Sequence, residues 1–167
     1  MSELRTNRIV PRDGLPSGSA GGIIQVRSTT KTDTFNMPSN DTNFHTVTGL
    51  SVTITPTRSD SKIMVIVSIQ WLLYRESTEI SGSFKLLRGS TNISEHANAV
   101  HIEAGTTSQS RIISEGGYMI QRLDTPATTS ATTYKVQFKT DYTANGSQMI
   151  VNRNNAPGCI TLMEVSG

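Results

Sequence analysis

The most informative segment of the chain is KIMVIVSIQW, residues 62–71. Successive side chains of a β-strand point to opposite faces, so apolar residues at every second position mark one buried face. Met64 and Ile66 share one face of this stretch. The other face carries an unbroken apolar set, namely Ile63, Val65, Val67 and Ile69. A strand that is apolar on both faces is typical of the centre of a sheet, so the pattern predicts a central strand.

The same two-residue period continues on both sides of this strand. In ATTYKVQFKTDY, residues 131–142, lysine and glutamine side chains alternate with an inward-facing set formed by Tyr134, Val136 and Phe138. Similar patterns lie at 23–35, 44–56, 81–89, 110–126, 147–153 and 158–165. We therefore expect about eight strands and no long amphipathic helix. This pattern predicts an all-β fold, an antiparallel two-sheet β-sandwich of the jelly-roll or immunoglobulin-like kind.

Several local features refine this expectation. Gly49 predicts a bulge or register shift, and the glycine pair at 116–117 predicts a bulge or bend. The ANG at 144–146 is typical of a hairpin turn, whereas residues 94–110 are the least regular part and suggest a long loop or a short helical turn. The last predicted strand includes TLMEV, residues 161–165. We expect this strand to pair in the interior of a sheet, so removal of residues 161–165 should unfold the domain.

Composition narrows the possible functions. The net charge of +2 is small and the basic residues are spread along the chain, which argues against a nucleic-acid partner. No apolar run is long enough to insert into a membrane. The single cysteine, Cys159, excludes an internal disulfide framework and a cysteine-rich metal site. No nucleophile elbow, phosphate loop or zinc-binding helix motif is present, so we expect no cofactor, no metal site and no enzymatic activity.

Two groups of residues are candidates for a binding site. Trp71 and Tyr74 could form an aromatic ligand platform, although packing at the rim of the sheet is the simpler interpretation. The stretch EHANAVHIE, residues 95–103, brings His96 and His101 close to two carboxylates and could hold a metal ion. A five-residue spacing of the histidines suits neither one strand face nor one helix face, which favours an exposed polar segment instead.

The first 22 residues cannot contribute to a core. We divide the chain into an N-terminal arm with a Gly/Ser hinge, residues 1–22, and a sandwich domain, residues 23–167. The arm contains three arginines around a short apolar segment, and its candidate attachment residues are Arg5, Arg8, Ile9, Val10 and Arg12. Residues 2–13 would become ordered on a partner, and 14–22 would span the gap to the sandwich. The alternative is a tail that stays free in solution.

A set of motifs in a fixed order resembles a known family. TGLSVTITP at 48–56, followed by SKI at 61–63, SATTYKVQFK at 130–139 and ITLMEV at 160–165, is similar to small tail-fibre-like or structural virion proteins of tailed bacteriophages. Relatives of this kind are familiar from phages of cyanobacteria and other aquatic bacteria. The resemblance covers roughly residues 23–166 and carries no catalytic residues. It implies a structural protein made in the host cytoplasm and located in the virion.

The resemblance also implies how the protein would assemble. Its members are β-sandwich modules that form homo-oligomers, often trimers, and act as fibre, appendage or decoration subunits on the particle. The expected partners are therefore other copies of the chain and other virion proteins of the capsid, neck or tail. Arg-bearing starts ahead of Gly-rich sequence, as in MSELRTNRIVPRDG at residues 1–14, are also similar to the starts of such proteins.

Two alternative functions remain open at this stage. A receptor-binding or glycan-binding module at a fibre tip would use polar loops at one end of the sandwich for host attachment, and the candidates are residues 74–82 and 94–110. An enzyme such as a depolymerase would need paired carboxylates at a defined separation, which no sequence pattern here indicates.

Overall fold

The computed structural model describes residues 22–103 and 111–166. Within these ranges the chain forms ten strands and a short 3₁₀ turn at Arg153–Asn155. The strands are β1 (Ile23–Lys31), β2 (Phe35–Asn36), β3 (His45–Ile54), β4 (Lys62–Arg75), β5 (Glu79–Arg88), β6 (Thr91–Glu103), β7 (Ile112–Asp124), β8 (Thr132–Thr140), β9 (Gln148–Val151) and β10 (Gly158–Val165). The predicted all-β fold is confirmed.

The strands form two antiparallel sheets that pack face to face. In the large sheet, β4 pairs along its whole length with β7 on one side. On its other side, the first half of β4 pairs with β10 and the second half pairs with β9. Strand β10 pairs in turn with β1, and β9 pairs with β2. The small sheet has the order β3-β8-β5-β6. The stretch at 62–71 is therefore part of a central strand, as its sequence predicts.

The connectivity is that of a jelly roll. Without the short strands β2 and β9, the large sheet has the order β1-β10-β4-β7. Apart from the β5–β6 hairpin, each long strand is followed by one in the opposite sheet. This repeated crossing between two four-stranded layers distinguishes a jelly roll from an immunoglobulin-like sandwich.

The core lies between the two sheets. The alternating sets of β4 and β8 face inward, and Ile63, Val65, Tyr134, Val136 and Phe138 are fully buried. Aromatic rings also join the layers. Phe84 of the small sheet stacks on Tyr118 of the large sheet with 4.4 Å between ring centroids.

Three local predictions differ from the structure. Residues 94–103 belong to β6, because register shifts let β6 keep pairing with β5 despite its irregular sequence. The glycine pair at 116–117 makes no bulge, since β7 pairs with β4 in continuous register. Gly116 instead makes room for an indole ring, because a Cβ atom there would lie 2.9 Å from Cζ2 of Trp71.

The third difference concerns the turn at 144–146. It carries the chain from β8 in the small sheet to β9 in the large sheet and does not join hairpin partners. Asn145 and Gly146 have positive φ angles of 59° and 64°, so the local turn chemistry was recognised correctly. By contrast, the predicted irregularity at Gly49 is confirmed, because the β3–β8 register shifts between Thr46 and Ser51.

Two buried carboxylates tie the elements together. Glu164 of β10 is fully buried and accepts hydrogen bonds from Gln25 of β1 at 2.6 Å and from the backbone N–H and hydroxyl of Thr57, both at 2.7 Å. At the far end of β7, Asp124 accepts a hydrogen bond from the buried Tyr134 hydroxyl at 2.6 Å and from Arg88 at 2.9 Å. The second cluster links the two sheets, since Asp124 lies in the large sheet and its partners lie in the small one.

Candidate functional site

A polar cleft of about 640 Å³ lies on the surface of the described chain. It lies where β5 begins and β8 ends, on the outer face of the small sheet. Its lining residues among those described are Glu79, Ser81, Asn98, His101, Asp141 and Tyr142. Odd-numbered residues of β5 point outward here because the even-numbered ones, such as Ile80 and Phe84, are buried in the core. We refer to this feature as the polar cleft.

The base of the polar cleft is built around Asp141. Its carboxylate accepts hydrogen bonds from the Ser81 hydroxyl at 2.9 Å and from the Ser83 hydroxyl at 2.8 Å. The Lys139 ammonium lies 3.1 Å from the same carboxylate. The backbone N–H of Asn98 donates to Ser83 at 3.1 Å, which ties β6 to this group. Asp141 is therefore held in one position before any ligand arrives.

The wall of the polar cleft consists of Glu79, His101 and Tyr142. Nε2 of His101 lies 3.0 Å from Oε1 of Glu79, and these two side chains are 42% and 45% exposed. Hydrogen bonds from Tyr142 and then His101 lower the pKa of Glu79. Burial and the hydrogen bond to Glu79 raise the pKa of Tyr142 to about 12. The Glu79 carboxylate is thus ionised and the Tyr142 hydroxyl protonated at neutral pH.

A single arginine supports this wall from behind. The Arg75 guanidinium lies 3.9 Å from the centre of the Tyr142 ring, and it donates a hydrogen bond to the Glu79 carbonyl at 2.6 Å. The stacking and the hydrogen bond together fix the Tyr142 ring relative to the start of β5. The wall is therefore positioned by β4, β5 and the end of β8.

The arrangement supplies binding groups and lacks an activated nucleophile among the described residues. The hydroxyls of Ser81 and Ser83 donate to Asp141, whereas His101 contacts Glu79. A serine nucleophile is typically activated by a base such as a histidine within hydrogen-bond reach of its hydroxyl, and here the His101 ring contacts Glu79 instead of either serine. The polar cleft can therefore hold a ligand by hydrogen bonds.

The structure does not bring Trp71 and Tyr74 together. Trp71 packs inward against the core, beside Gly116, and its indole N–H has no hydrogen-bond partner among the described residues. Tyr74 lies on the opposite face of the large sheet, where it lines a smaller cleft and donates a hydrogen bond to Glu76 at 2.8 Å. Because side chains an odd number of positions apart on one strand face opposite ways, the two rings lie on different faces of the large sheet and do not form one surface.

The two histidines of β6 are also separated. His96 bonds to the hydroxyls of Ser94 and Tyr118 within the sandwich, whereas His101 faces the polar cleft. No group of metal-ligating side chains occurs in the described residues. The exposed polar interpretation fits His101, and His96 is a hydrogen-bonded residue between the sheets.

The outer face of the large sheet has the opposite character. One cross-strand row, in which each residue lies opposite the next on the neighbouring strand, consists of Val26, Met163, Met64 and Leu123. Val26 and Leu123 are 50% and 47% exposed, and the two methionines are half-buried. Ile23 and Met119 extend this surface, which we refer to as the apolar face.

The candidate attachment residues Arg5, Arg8, Ile9, Val10 and Arg12 lie outside the described residues. Within 22–103 and 111–166 there is no helix long and apolar enough to cross a membrane.

Sequence reasoning found part of the polar cleft. Glu79 and Ser81 come from 74–82 and Asn98 and His101 from 94–110, the two segments expected to present polar contacts. It missed Asp141 and Tyr142, which follow directly after β8. The available signal was the outward phase of β8, because continuing its alternation by two residues from Lys139 places Asp141 on the same outer face.

No family model and no curated protein matches this chain. Among solved structures, it is similar to Eiger TNF from S. frugiperda, with 6% identity, a TM-score of 0.47, and coverage of 84% of this chain and 93% of that one. It is also similar to the VP2 protein of infectious bursal disease virus, with 16% identity, a TM-score of 0.35, and coverage of 85% of this chain and 36% of that one. The neighbours thus include a viral VP2 protein and a TNF protein, at identities that assign no function.

Proposed function

We propose that this chain is a non-enzymatic structural subunit of a bacteriophage virion, a homo-oligomeric fibre, appendage or decoration module held on the particle by its N-terminal arm. The observation that supports it most is the apolar face. Contiguous exposed apolar surface on a small domain is typical of a protein-protein contact. The resemblance of its motifs to virion proteins of tailed bacteriophages supports a phage virion as the particle to which the subunit belongs.

The chemistry of the apolar face favours a second copy of the chain as its occupant. The row from Val26 to Leu123 contains no charged side chain, so two copies can meet without like-charge repulsion. The row crosses all four long strands of the large sheet, so each copy presents it on a rigid hydrogen-bonded sheet. A trimer is the assembly that the resemblance favours.

Self-association is tested by measuring the mass of the purified chain in solution with light scattering. We expect a closed oligomer, and we expect Leu123→Glu to convert it to a monomer because a buried, unpaired carboxylate opposes the contact. Ser51→Glu, at an exposed position on the small sheet, serves as control and should leave the mass unchanged. A monomeric wild-type chain, or a Leu123→Glu variant that keeps its mass, would overturn this part of the proposal.

Attachment through the arm is tested separately. Deletion of residues 1–22 should leave a folded oligomer that no longer joins particles. A smaller change than the deletion is the replacement of Arg5, Arg8 and Arg12 by serine. It should weaken incorporation of the chain into particles if these arginines contact the particle. Incorporation of the truncated chain at normal occupancy would contradict the role of the arm.

A second function, recognition of a host-surface glycan, is favoured by the polar cleft. A virion module can be both a structural subunit and a receptor-binding one, since the polar cleft and the apolar face belong to opposite outer surfaces of the sandwich. Its test is adsorption of the purified oligomer to host cells.

A further inference from the structure

We infer that the polar cleft binds a neutral saccharide and discriminates against acidic ones. This inference rests on the second proposed function and adds the ligand class and the residues that select it. It concerns the outer face of the small sheet alone, so it is independent of how the particle holds the chain.

The first step is the balance of donors and acceptors around the cleft. A sugar hydroxyl donates one hydrogen bond and accepts others, so its site needs both kinds of group. Glu79 supplies acceptor oxygens. The Asn98 side-chain amide lies 2.9 Å from the Ser81 hydroxyl and carries two N–H donors, at least one of which is left for a ligand. His101 and Tyr142 add a ring nitrogen and a hydroxyl, so several neighbouring sugar hydroxyls can be matched at once.

The second step is preorganisation. Asp141 is fixed by two serine hydroxyls and Lys139, and Tyr142 is fixed by Arg75 and Glu79. Ser81 and Ser83 are themselves 2% and 1% exposed, so the base cannot rearrange without disturbing β5. Because these groups are ordered before binding, a weakly apolar ligand such as a sugar loses less free energy to ordering of the site.

The third step is charge. The described lining residues include two carboxylates, Glu79 and Asp141, and neither lysine nor arginine. The nearby Lys139 is paired with Asp141, and Arg75 is engaged by the Tyr142 ring and the Glu79 carbonyl. A sialic or uronic acid would place a third carboxylate in this cleft, and none of its described lining residues is a lysine or arginine that could pair with it. Neutral hexoses and N-acetylhexosamines avoid that repulsion.

The test uses the full-length oligomer, labelled and applied to an array of neutral, sialylated and uronic-acid glycans. We expect binding to neutral glycans, and an affinity for the best of them that falls at least about tenfold in Glu79→Gln, since a hydrogen bond to a charged acceptor is lost. His101→Ala, an exposed change, should weaken binding in the same direction.

The matched control is Glu95→Gln. Glu95 lies on the neighbouring strand β6, is 40% exposed and pairs with Lys85, outside the polar cleft. It should keep wild-type affinity, and circular dichroism should give the same melting curve for all three variants. Absence of binding to any neutral glycan, preference for acidic glycans, or equal affinities of Glu79→Gln and Glu95→Gln would each overturn the inference. None of these outcomes bears on the mass or particle incorporation of the chain, so the structural proposal is judged separately.

Discussion

At the scale of single residues, Glu164 is a buried carboxylate whose hydrogen-bond partners within residues 22–103 and 111–166 include no cation. Burial alone would raise its pKa, but the hydrogen bonds from Gln25 and Thr57 outweigh burial and hold the pKa below its ordinary value of 4.5. A carboxylate with a lowered pKa stabilises the folded state above its unfolded pKa, and that contribution is lost as the pH falls through the folded value. The protein should therefore lose stability as the pH drops below about 4.5.

The variant Glu164→Gln tests this contribution. One amide oxygen can still accept both bonds from Thr57, but the amide N–H₂ then faces the Gln25 donor at a site where the carboxylate accepted a bond. We expect a loss of about 1–3 kcal/mol in the free energy of unfolding at pH 7, measured by urea denaturation. The difference from wild type should shrink at low pH, where Glu164 is protonated. An equal loss at all pH values would contradict the assignment.

Two adjacent glycines offer a matched comparison of packing. In Gly116→Ala the new methyl group would lie 2.9 Å from Cζ2 of Trp71, so the ring or β7 must shift. In Gly117→Ala nothing lies within 4 Å of the new atom. We expect Gly116→Ala to cost about 1–3 kcal/mol of unfolding free energy and to alter the emission of the single tryptophan. Gly117→Ala should be within about 0.5 kcal/mol of wild type, and similar effects of both changes would show that the indole is not the constraint.

At the scale of elements, the last strand decides whether the domain folds. β10 pairs with β1 on one side and β4 on the other, and it carries the buried Ile160, Leu162 and Glu164. Removal of residues 161–167 would leave two unpaired strand edges and expose apolar core. We expect this truncated chain to be unfolded or insoluble, as judged by circular dichroism and proteolysis.

Removal of residues 1–21 is the control for that truncation. It deletes three times as much chain yet leaves every described strand in place. We expect it to unfold cooperatively at nearly the same urea concentration as the full chain. If the longer N-terminal deletion were the more damaging one, the domain boundary at residue 22 would be wrong.

Period-two alternation predicted strands and their inward faces because burial on one side of a sheet is a local property of the sequence. The alternation identifies the four-residue strand β9 within 147–153 and all of β10, residues 158–165. Strand partners were not, since the turn at 144–146 has the local chemistry of a hairpin but connects two sheets. The polar cleft was only partly predicted for the same reason, because Asp141 meets Ser81 through pairing of β8 with β5, which no local pattern encodes.

At the scale of the whole molecule, the sandwich presents two outer faces with different chemistry. The large sheet carries the apolar face of aliphatic and thioether side chains, and the small sheet exposes hydroxyls, carboxylates and a histidine around the polar cleft. A subunit that associates through the first face keeps the second face directed away from its neighbours. An oligomer would then carry several polar clefts. Because a single saccharide site binds weakly, simultaneous binding at several clefts would strengthen attachment to a saccharide-coated surface.

Because the apolar face and the polar cleft are on different sheets, we predict that assembly increases the apparent affinity for a saccharide-coated surface. The affinity of each polar cleft for a free saccharide should stay the same. The monomeric variant Leu123→Glu should bind a soluble neutral saccharide with the same dissociation constant as wild type, because the polar cleft lies on the other sheet. On a surface densely coated with that saccharide, its apparent affinity should fall by about 10²-fold or more, since multivalent attachment is lost. Calorimetry with the free sugar and surface plasmon resonance on the coated surface give the two values. If Leu123→Glu lost affinity for both the free sugar and the coated surface, the two faces would be coupled. If it kept wild-type affinity for both, the oligomer would not bind through several clefts at once.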